Sequence, residues 1–267
     1  SLRDLSSVTS GLQIGAGGAF PQPSIRGVTT LLNGTFENNV AVYVDGVYQP
    51  VAQAINIDLP NIESVQVLKG PQGTLYGRNA TGGAILLTTI SPSDTWRGKA
   101  EVTYASFDDK RISGYVAGPL SDVVGISIAG YWRESDGYNK LISRTDGTKT
   151  DGHATPIEQQ SVRLKARASL DNVTATFAFN YVLIDDARSN IYTPFENVNG
   201  AGNFGYGTRP GAATLRQFLN SSGNKLGKQA YDIGAVMRSH QWEYAGTLEI
   251  DTGIGTLQSI TSYSKVS

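Results

Sequence analysis

The sequence has 267 residues, a formal net charge of −1 and no cysteine. The near-neutral charge argues against a nucleic-acid partner, and the lack of cysteine excludes a disulfide framework and a thiolate metal site. No run of about eighteen apolar residues occurs, so no membrane-spanning helix is predicted. The 31 glycines, 13 tyrosines and 17% charged residues suit a β-protein with an amphipathic wall.

The first part of the chain predicts short elements of both kinds. Residues 2–14 predict a short helix that leads to a strand, and a glycine-proline loop follows to Pro23. A strand is predicted around Ile25–Gly27. Apolar residues then alternate over Val40–Tyr48, which predicts another strand, and Asp45-Gly46 within it predicts a tight turn.

Glycine is concentrated between residues 59 and 89, after a strand and before the buried-type strand AILLTT. Such density indicates backbone at positive φ or in close approach to another surface. Gly83 and Ala84 stand where a phosphate-binding loop needs Lys and Ser or Thr, which argues against nucleotide binding. A dinucleotide fingerprint at residues 15–20 is opposed by Phe20 and by Pro21, which blocks the helix that should follow.

From Trp96 onward, polar and apolar residues alternate in seven strand-like segments, of which residues 111–119 and 254–266 are the weaker. The period alone fits either a solvated sheet or a membrane barrel. Tight turns and long connections alternate, at 120–122, 171–172 and 252–253 against 136–160 and 185–240, with a short link at 107–110 as the exception. This segregation favours an outer-membrane barrel over a soluble sandwich.

Three ordered motifs resemble the plug domain of TonB-dependent outer-membrane receptors. They are the Ile25-Arg26-Gly27 segment, the strand VYVDGVY, and a run from an acidic residue through a strand to GP, LYG and GG. The motif and plug–barrel contact residues that the resemblance implies are Arg26, Gly27, Asp45, Gly46, Glu63, Lys69, Gly70, Tyr76, Gly77, Gly82 and Gly83.

The resemblance implies a mixed α/β plug domain over residues 1–91. It also implies the first roughly seven antiparallel transmembrane strands, over residues 96–267, of a barrel with about 22 strands. Seven strands cannot close around a plug, so the chain is expected to be a fragment. It starts at Ser1 without a charged-then-apolar signal segment, so its natural amino terminus is expected to be missing. TonB would be contacted through a segment upstream of this chain, and the strands would face outer-membrane lipid.

The implied function is energised uptake of a scarce ligand, with a ferric siderophore preferred. Cobalamin, another metal chelate, an oligosaccharide, or a binding-only surface β-protein are the alternatives. No catalytic constellation or cofactor site is recognised, and His153 and His240 lack metal-ligand spacing. Candidate ligand-binding residues are Arg26, Tyr48 and Gln49 on the plug and Tyr192, Phe195, Phe204 and Tyr206 in the long 185–240 segment. The aromatic and amide side chains of that segment fit a ligand site. The alternative is a glycine-rich surface loop.

The segment 161–170 predicts which face of the sheet meets the plug. Arg163, Lys165 and Arg167 alternate with apolar residues and should face the lumen, where they are potential partners of a plug carboxylate such as Glu63. Plain solvation of a wet interface is the alternative. Leu164 should face lipid, so Leu164→Arg should impair assembly, whereas Lys165→Leu should be tolerated.

Overall fold

The computed structural model describes residues 5–17, 20–29, 39–50, 60–137, 140–142, 149–153, 156–186, 228–230 and 238–267. The elements of the first part are α1 (Leu5–Val8), β1 (Leu12–Gly17), β2 (Phe20–Ile25), β3 (Val40–Val44), β4 (Val47–Tyr48), β5 (Ile62–Lys69), α2 (Gly73–Tyr76) and β6 (Gly83–Thr89). Strands β3 to β6 form a four-stranded sheet in the order β4-β3-β6-β5. Strands β3 and β6 are parallel and β5 is antiparallel to β6. This unit, with the β1–β2 hairpin, is called the plug below.

The predicted loop up to Pro23 is wrong, because β1 and β2 form an antiparallel hairpin there. Pro21 and Pro23 are two residues apart, so both positions that lack an N–H lie on the same edge of β2. The other edge stays able to pair with β1. The predicted strand also ends earlier, since Arg26 and Gly27 have φ of 52° and 82° and form a turn after Ile25.

One face of the plug sheet carries its apolar core. The buried members are Leu12, Ile25, Val40, Val42, Val44, Ile85 and Leu87. The hairpin therefore covers the face that the valines of β3 present. Gly83 lies where these layers meet: a Cβ there would be 2.2 Å from the Leu68 carbonyl oxygen and 2.7 Å from Ile25 Cδ1. Its φ of 148° also favours glycine.

The second part of the chain forms one seven-stranded antiparallel sheet, called the wall below. The elements in chain order are β7 (Arg97–Ala105), β8 (Asp109–Pro119), β9 (Val124–Ser135), β10 (Lys140–Ile142), β11 (Lys149–His153), β12 (Ile157–Leu170), β13 (Val173–Asp186), β14 (Lys228–Ala230), β15 (Arg238–Asp251) and β16 (Thr256–Val266). The wall has the order β16-β15-β13-β12-β9-β8-β7, and β10, β11 and β14 form a separate small sheet. The predicted antiparallel meander of seven strands is confirmed.

The two faces of the wall differ in polarity, and the polar one is covered by the plug. Leu164 is 40% exposed, whereas its neighbour Arg163 is 5% exposed. The register places Leu164 in one cross-strand row with Val116, Ile128, Phe179, Tyr244 and Tyr263. Arg163 lies in a row with Tyr115, Ala129, Asn180, Glu243 and Ser264. The outer face, which carries Leu164, is thus largely apolar and exposed. The inner face, which carries Arg163, is mostly polar, and it is buried where the plug covers it. A water-soluble sheet has the opposite arrangement.

Short turns join the strands at one end of the wall, between β8 and β9, β12 and β13, and β15 and β16. The strand ends that the long connections join, from β9 to β12 and from β13 to β15, lie at the other end. Among the described residues, no helix is long and apolar enough to cross a membrane.

Candidate functional site

The predicted tight turn at Asp45-Gly46 joins β3 to β4 and points at the wall. Both residues have positive φ, 50° and 80°, as a two-residue turn between antiparallel strands requires. The Asp45 N–H donates to the Leu87 carbonyl at 2.9 Å, which ties the turn to β6. A Cβ on Gly46 would be 2.8 Å from Ile260 Cδ1, so the turn packs closely against β16. The short turn therefore presents the Asp45 carboxylate at a fixed place.

The Asp45 carboxylate joins the plug to the wall. On the plug side, Thr89 donates to it through N–H (2.8 Å to Oδ1) and Oγ1 (2.7 Å to Oδ2). On the wall side, Arg163 Nη1 and Lys165 Nζ lie 3.1 and 3.2 Å from Oδ2. Lys165 Nζ also donates to the Thr89 carbonyl at 3.2 Å. Both cations are 5% exposed, and buried charges are stable when paired and hydrogen-bonded in this way.

Gln49 forms the second contact between the plug and the wall. Its Nε2 donates to Glu243 Oε2 at 2.7 Å, and Gln241 Nε2 donates to its Oε1 at 3.5 Å. Gln49 is 3% exposed. The structure therefore places this candidate ligand residue inside the plug–wall contact and away from an open surface. The name plug–wall contact is used below for Asp45, Gln49 and Thr89 on the plug with Arg163, Lys165, Gln241 and Glu243 on the wall.

The expected partner of the wall cations, Glu63, does not contact them directly. Its carboxylate lies 3.7 Å from Arg97 Nη2, and both side chains are more than 40% exposed. Arg167 Nη2 is 4.0 Å from the exposed Asp94. The expected pairing through Glu63 is therefore replaced by pairing through Asp45, because Asp45 lies at the end of β3 that faces β12.

Tyr48 and Tyr76 meet at a cluster of rings on the other face of the plug sheet. The Tyr43 ring centroid is 5.6 Å from that of Tyr48 and 5.4 Å from that of Tyr76. The Tyr43 hydroxyl donates to the Tyr76 carbonyl, and Asn79 Nδ2 donates to the Tyr48 hydroxyl at 2.7 Å. Burial is the main cause that raises the pKa of Tyr43, and the neighbouring tyrosines add to it. The cluster links β3 to the glycine-rich segment.

The remaining motif residues lie away from the plug–wall contact. Gly70, Gly77, Gly82 and Gly83 surround α2 at the end of the sheet where β3 and β6 begin, whereas Asp45 follows the end of β3. Gly70 and Gly77 have positive φ. Lys69 ends β5 and is exposed. Arg26 is exposed in the turn after β2, and its N–H donates to the Gly11 carbonyl at 2.8 Å. The candidate ligand residues Tyr192, Phe195, Phe204 and Tyr206 lie outside the described residues.

A second charged cluster occupies the inner face near the end with the long connections. Arg111 and Arg133 each donate through Nε and Nη2 to the two carboxylate oxygens of Asp109, at 2.7–3.1 Å. Gln159 follows Arg133 in the same cross-strand row and is 1% exposed. Its amide nitrogen and oxygen have no hydrogen-bond partner within the described part of the chain. Sequence reasoning missed this cluster, because Asp109 lies in the segment 107–110 that was predicted only as a short link between strands.

Sequence reasoning also missed Thr89, Gln241 and Glu243. Strand alternation already placed Glu243 on the other face of its strand from Trp242 and Tyr244. This pattern indicated a carboxylate on the inner face. No local signal connects it to Gln49, which is 194 positions away.

The wall has one polar and one apolar face, and buried polar side chains hold the small plug on the polar face. This arrangement defines a class of protein. It is the arrangement of a plugged β-barrel receptor of the outer membrane. Residues 1–84 match the TonB-dependent receptor plug domain family. Over these residues the chain has the plug domain of that family, and the wall strands follow it.

Individual relatives agree with this assignment. The pesticin receptor of Yersinia pestis is 33% identical over 162 residues, which cover 60% of this chain and 24% of the receptor. The iron-regulated outer membrane virulence protein of Vibrio cholerae (El Tor Inaba N16961) is 30% identical over 173 residues, covering 56% of this chain and 26% of that protein. The ferric yersiniabactin uptake receptor FyuA from Yersinia pestis has the same fold: it aligns with a TM-score of 0.74 at 22% identity over 99% of this chain and 38% of its own. The chain thus spans about a quarter of the curated relatives it matches.

Proposed function

We propose that this chain is part of an outer-membrane receptor that takes up a ferric siderophore with energy supplied through TonB. Residues 1–91 would be the plug domain and residues 96–267 the first strands of the barrel. The observation that carries the proposal is the plug–wall contact, which seats a separate plug on the inner face of a wall with an apolar outer face. A passive pore, an adhesin or an enzyme has no need of such a plug.

The polar nature of the contact supports transport. A plug that must move on demand has to separate from the wall without exposing a large apolar surface. Exposing apolar surface to water costs about 25 cal/mol per Å². Asp45 and Gln49 instead meet the wall through ion pairs and hydrogen bonds. Water can replace these bonds when the lumen opens, so the net cost of separation is smaller than their number suggests.

The names of the relatives support the substrate. They are a pesticin receptor, an iron-regulated outer membrane virulence protein and a ferric yersiniabactin uptake receptor. We assign a ferric chelate to the present protein on this basis. TonB would pull on a segment that precedes the plug. Ligand would be held outside by Arg26 and Tyr48 on the plug together with the aromatic residues of the long 185–240 segment.

The test is uptake of radiolabelled iron by a strain that lacks the chromosomal receptor gene and expresses the full-length protein from a plasmid. Under iron starvation, a panel of ferric siderophores should show at least one that is taken up with the receptor and not without it. The same cells with tonB deleted should bind that chelate but fail to accumulate it. Uptake of cobalamin or an oligosaccharide, with unchanged iron uptake, would move the substrate to that class. Accumulation independent of TonB would overturn the energised mechanism.

A further inference from the structure

The plug–wall contact leaves the wall with an excess of positive charge. Among the described residues of the plug–wall contact, Arg163 and Lys165 are opposed by one wall carboxylate, Glu243, which accepts a hydrogen bond from the Gln49 amide. Both salt bridges of the two cations at this contact end on the same oxygen of Asp45, which belongs to the plug. The plug thus supplies the anion that the wall lacks.

Displacement of the plug would remove this anion together with Thr89, since both lie on the plug. Two cations that are 5% exposed would then face the opened lumen with Glu243 as the nearest compensating group. Water reaches the two cations once the lumen opens, but neighbouring cations that line a wet channel still attract anions. The vacated site therefore favours another carboxylate or similar anion.

We propose that Arg163 and Lys165 form a carboxylate-binding station on the transport path. Asp45 occupies it while the plug is seated, and an acidic group of the passing chelate occupies it when the plug is displaced. This rests on the proposed function only for the identity of the passing ligand. Because one station cannot hold both anions, the ligand would compete with Asp45 and favour plug release, and by linkage plug release would favour ligand binding.

Chemical rescue tests the station directly, without a known substrate. Asp45→Gly removes the carboxylate and suits the positive φ of 50° at this position. In the full-length receptor in planar lipid bilayers, urea should displace the plug and open a conductance at a lower concentration than in the wild type. Asp45→Gly lowers the urea concentration at which half of the channels open. Acetate in the millimolar range should reverse at least half of this decrease, because acetate can fill the vacated space between the two cations and Thr89. Equal ionic strength of chloride should not.

Matched variants separate rescue from a general salt effect. Asp45→Asn fills the same space with an amide, so its lowered midpoint should not respond to acetate. The double variant Arg163→Gln/Lys165→Gln keeps Asp45 and should not respond either. Unchanged behaviour of Asp45→Gly in acetate, or an equal acetate shift in all variants, would overturn the station.

The place of the station on the path has its own measurement. Once urea has opened the conductance, citrate should block the current in the wild type and in Asp45→Asn alike, because both keep the two cations. The half-blocking citrate concentration should rise about tenfold or more in Arg163→Gln/Lys165→Gln. Equal block in all three proteins would show that the cations do not line the opened path. A receptor that fails to take up any ferric chelate would refute the proposed function while leaving these conductance results standing.

Discussion

Leu164→Arg should disrupt assembly of the wall far more than Leu170→Arg, because the two positions differ in depth. Leu164 lies six positions before Leu170, the last residue of β12. At about 3.3 Å per residue and a strand tilt of about 45°, the two positions differ by about 14 Å along the membrane normal. The apolar band of such a barrel is about 25 Å tall, which puts Leu164 near its middle.

Arginine at mid-membrane on the outer face costs about 2–4 kcal/mol, against about 0–1 kcal/mol near the interface. We expect Leu164→Arg to lower the free energy of unfolding by about 2–3 kcal/mol more than Leu170→Arg, a difference of about 30-fold to 150-fold in the folding equilibrium. The measurement is urea unfolding of the full-length receptor in lipid vesicles, with Leu164→Met as the control that keeps the position apolar. An equal or larger effect of Leu170→Arg would refute the assignment of faces and depth.

Three further variants test the plug and the inner face. Gly83→Ala should destabilise the plug by about 2–3 kcal/mol, because the added Cβ meets the Leu68 carbonyl at 2.2 Å; Gly73→Ala, with nothing within 4 Å, is its control in the same denaturation assay. Glu243→Ala should lower the urea concentration that releases the plug, since the Gln49 amide loses its acceptor, and an unchanged midpoint would show that this contact contributes nothing to seating. Asp109→Asn should lower the free energy of unfolding of the wall by about 2–3 kcal/mol, because two guanidinium groups lose their shared carboxylate; a loss no larger than that of Asp108→Asn, whose carboxylate pairs with Lys110 and is less buried, would contradict it.

Strand alternation predicted the wall well because each strand meets two different surroundings. The segment 161–170 places Leu164 outside and Arg163 inside, and the structure gives them 40% and 5% exposure. The tolerance expected for Lys165→Leu needs revision, however. Alternation treats position 165 as any lumen site, whereas Nζ contacts both Asp45 and Thr89. We now expect Lys165→Leu to insert normally and to loosen the plug.

Partner choice across the interface could not be read from the sequence. Glu63 lies in β5 and Asp45 directly follows β3, and nothing local in the sequence distinguishes them as partners of Arg163. The distinction depends on how the plug is oriented against the wall, over a separation of 118 residues. The β1–β2 hairpin was missed for a different reason, because glycine and proline usually end a strand. Here the prolines occupy one edge of a strand that pairs through its other edge.

The position of the contact along the plug matters for how the plug could move. Asp45 is bound to Thr89, the last residue of β6, and the chain continues from there through Pro92 to β7 of the wall. The ion pairs therefore hold the same end of the plug sheet that the covalent connection holds. The glycines from Gly70 to Gly83 lie at the opposite end of the plug sheet, where β3 and β6 begin. A force applied upstream of β1 would act on the hairpin before Asp45, because the hairpin precedes β3 in the chain and contacts it through apolar residues. Opening the lumen past β12 then requires that Asp45 leave Arg163 and Lys165, so the release of this one carboxylate is the step that an incoming anion can assist.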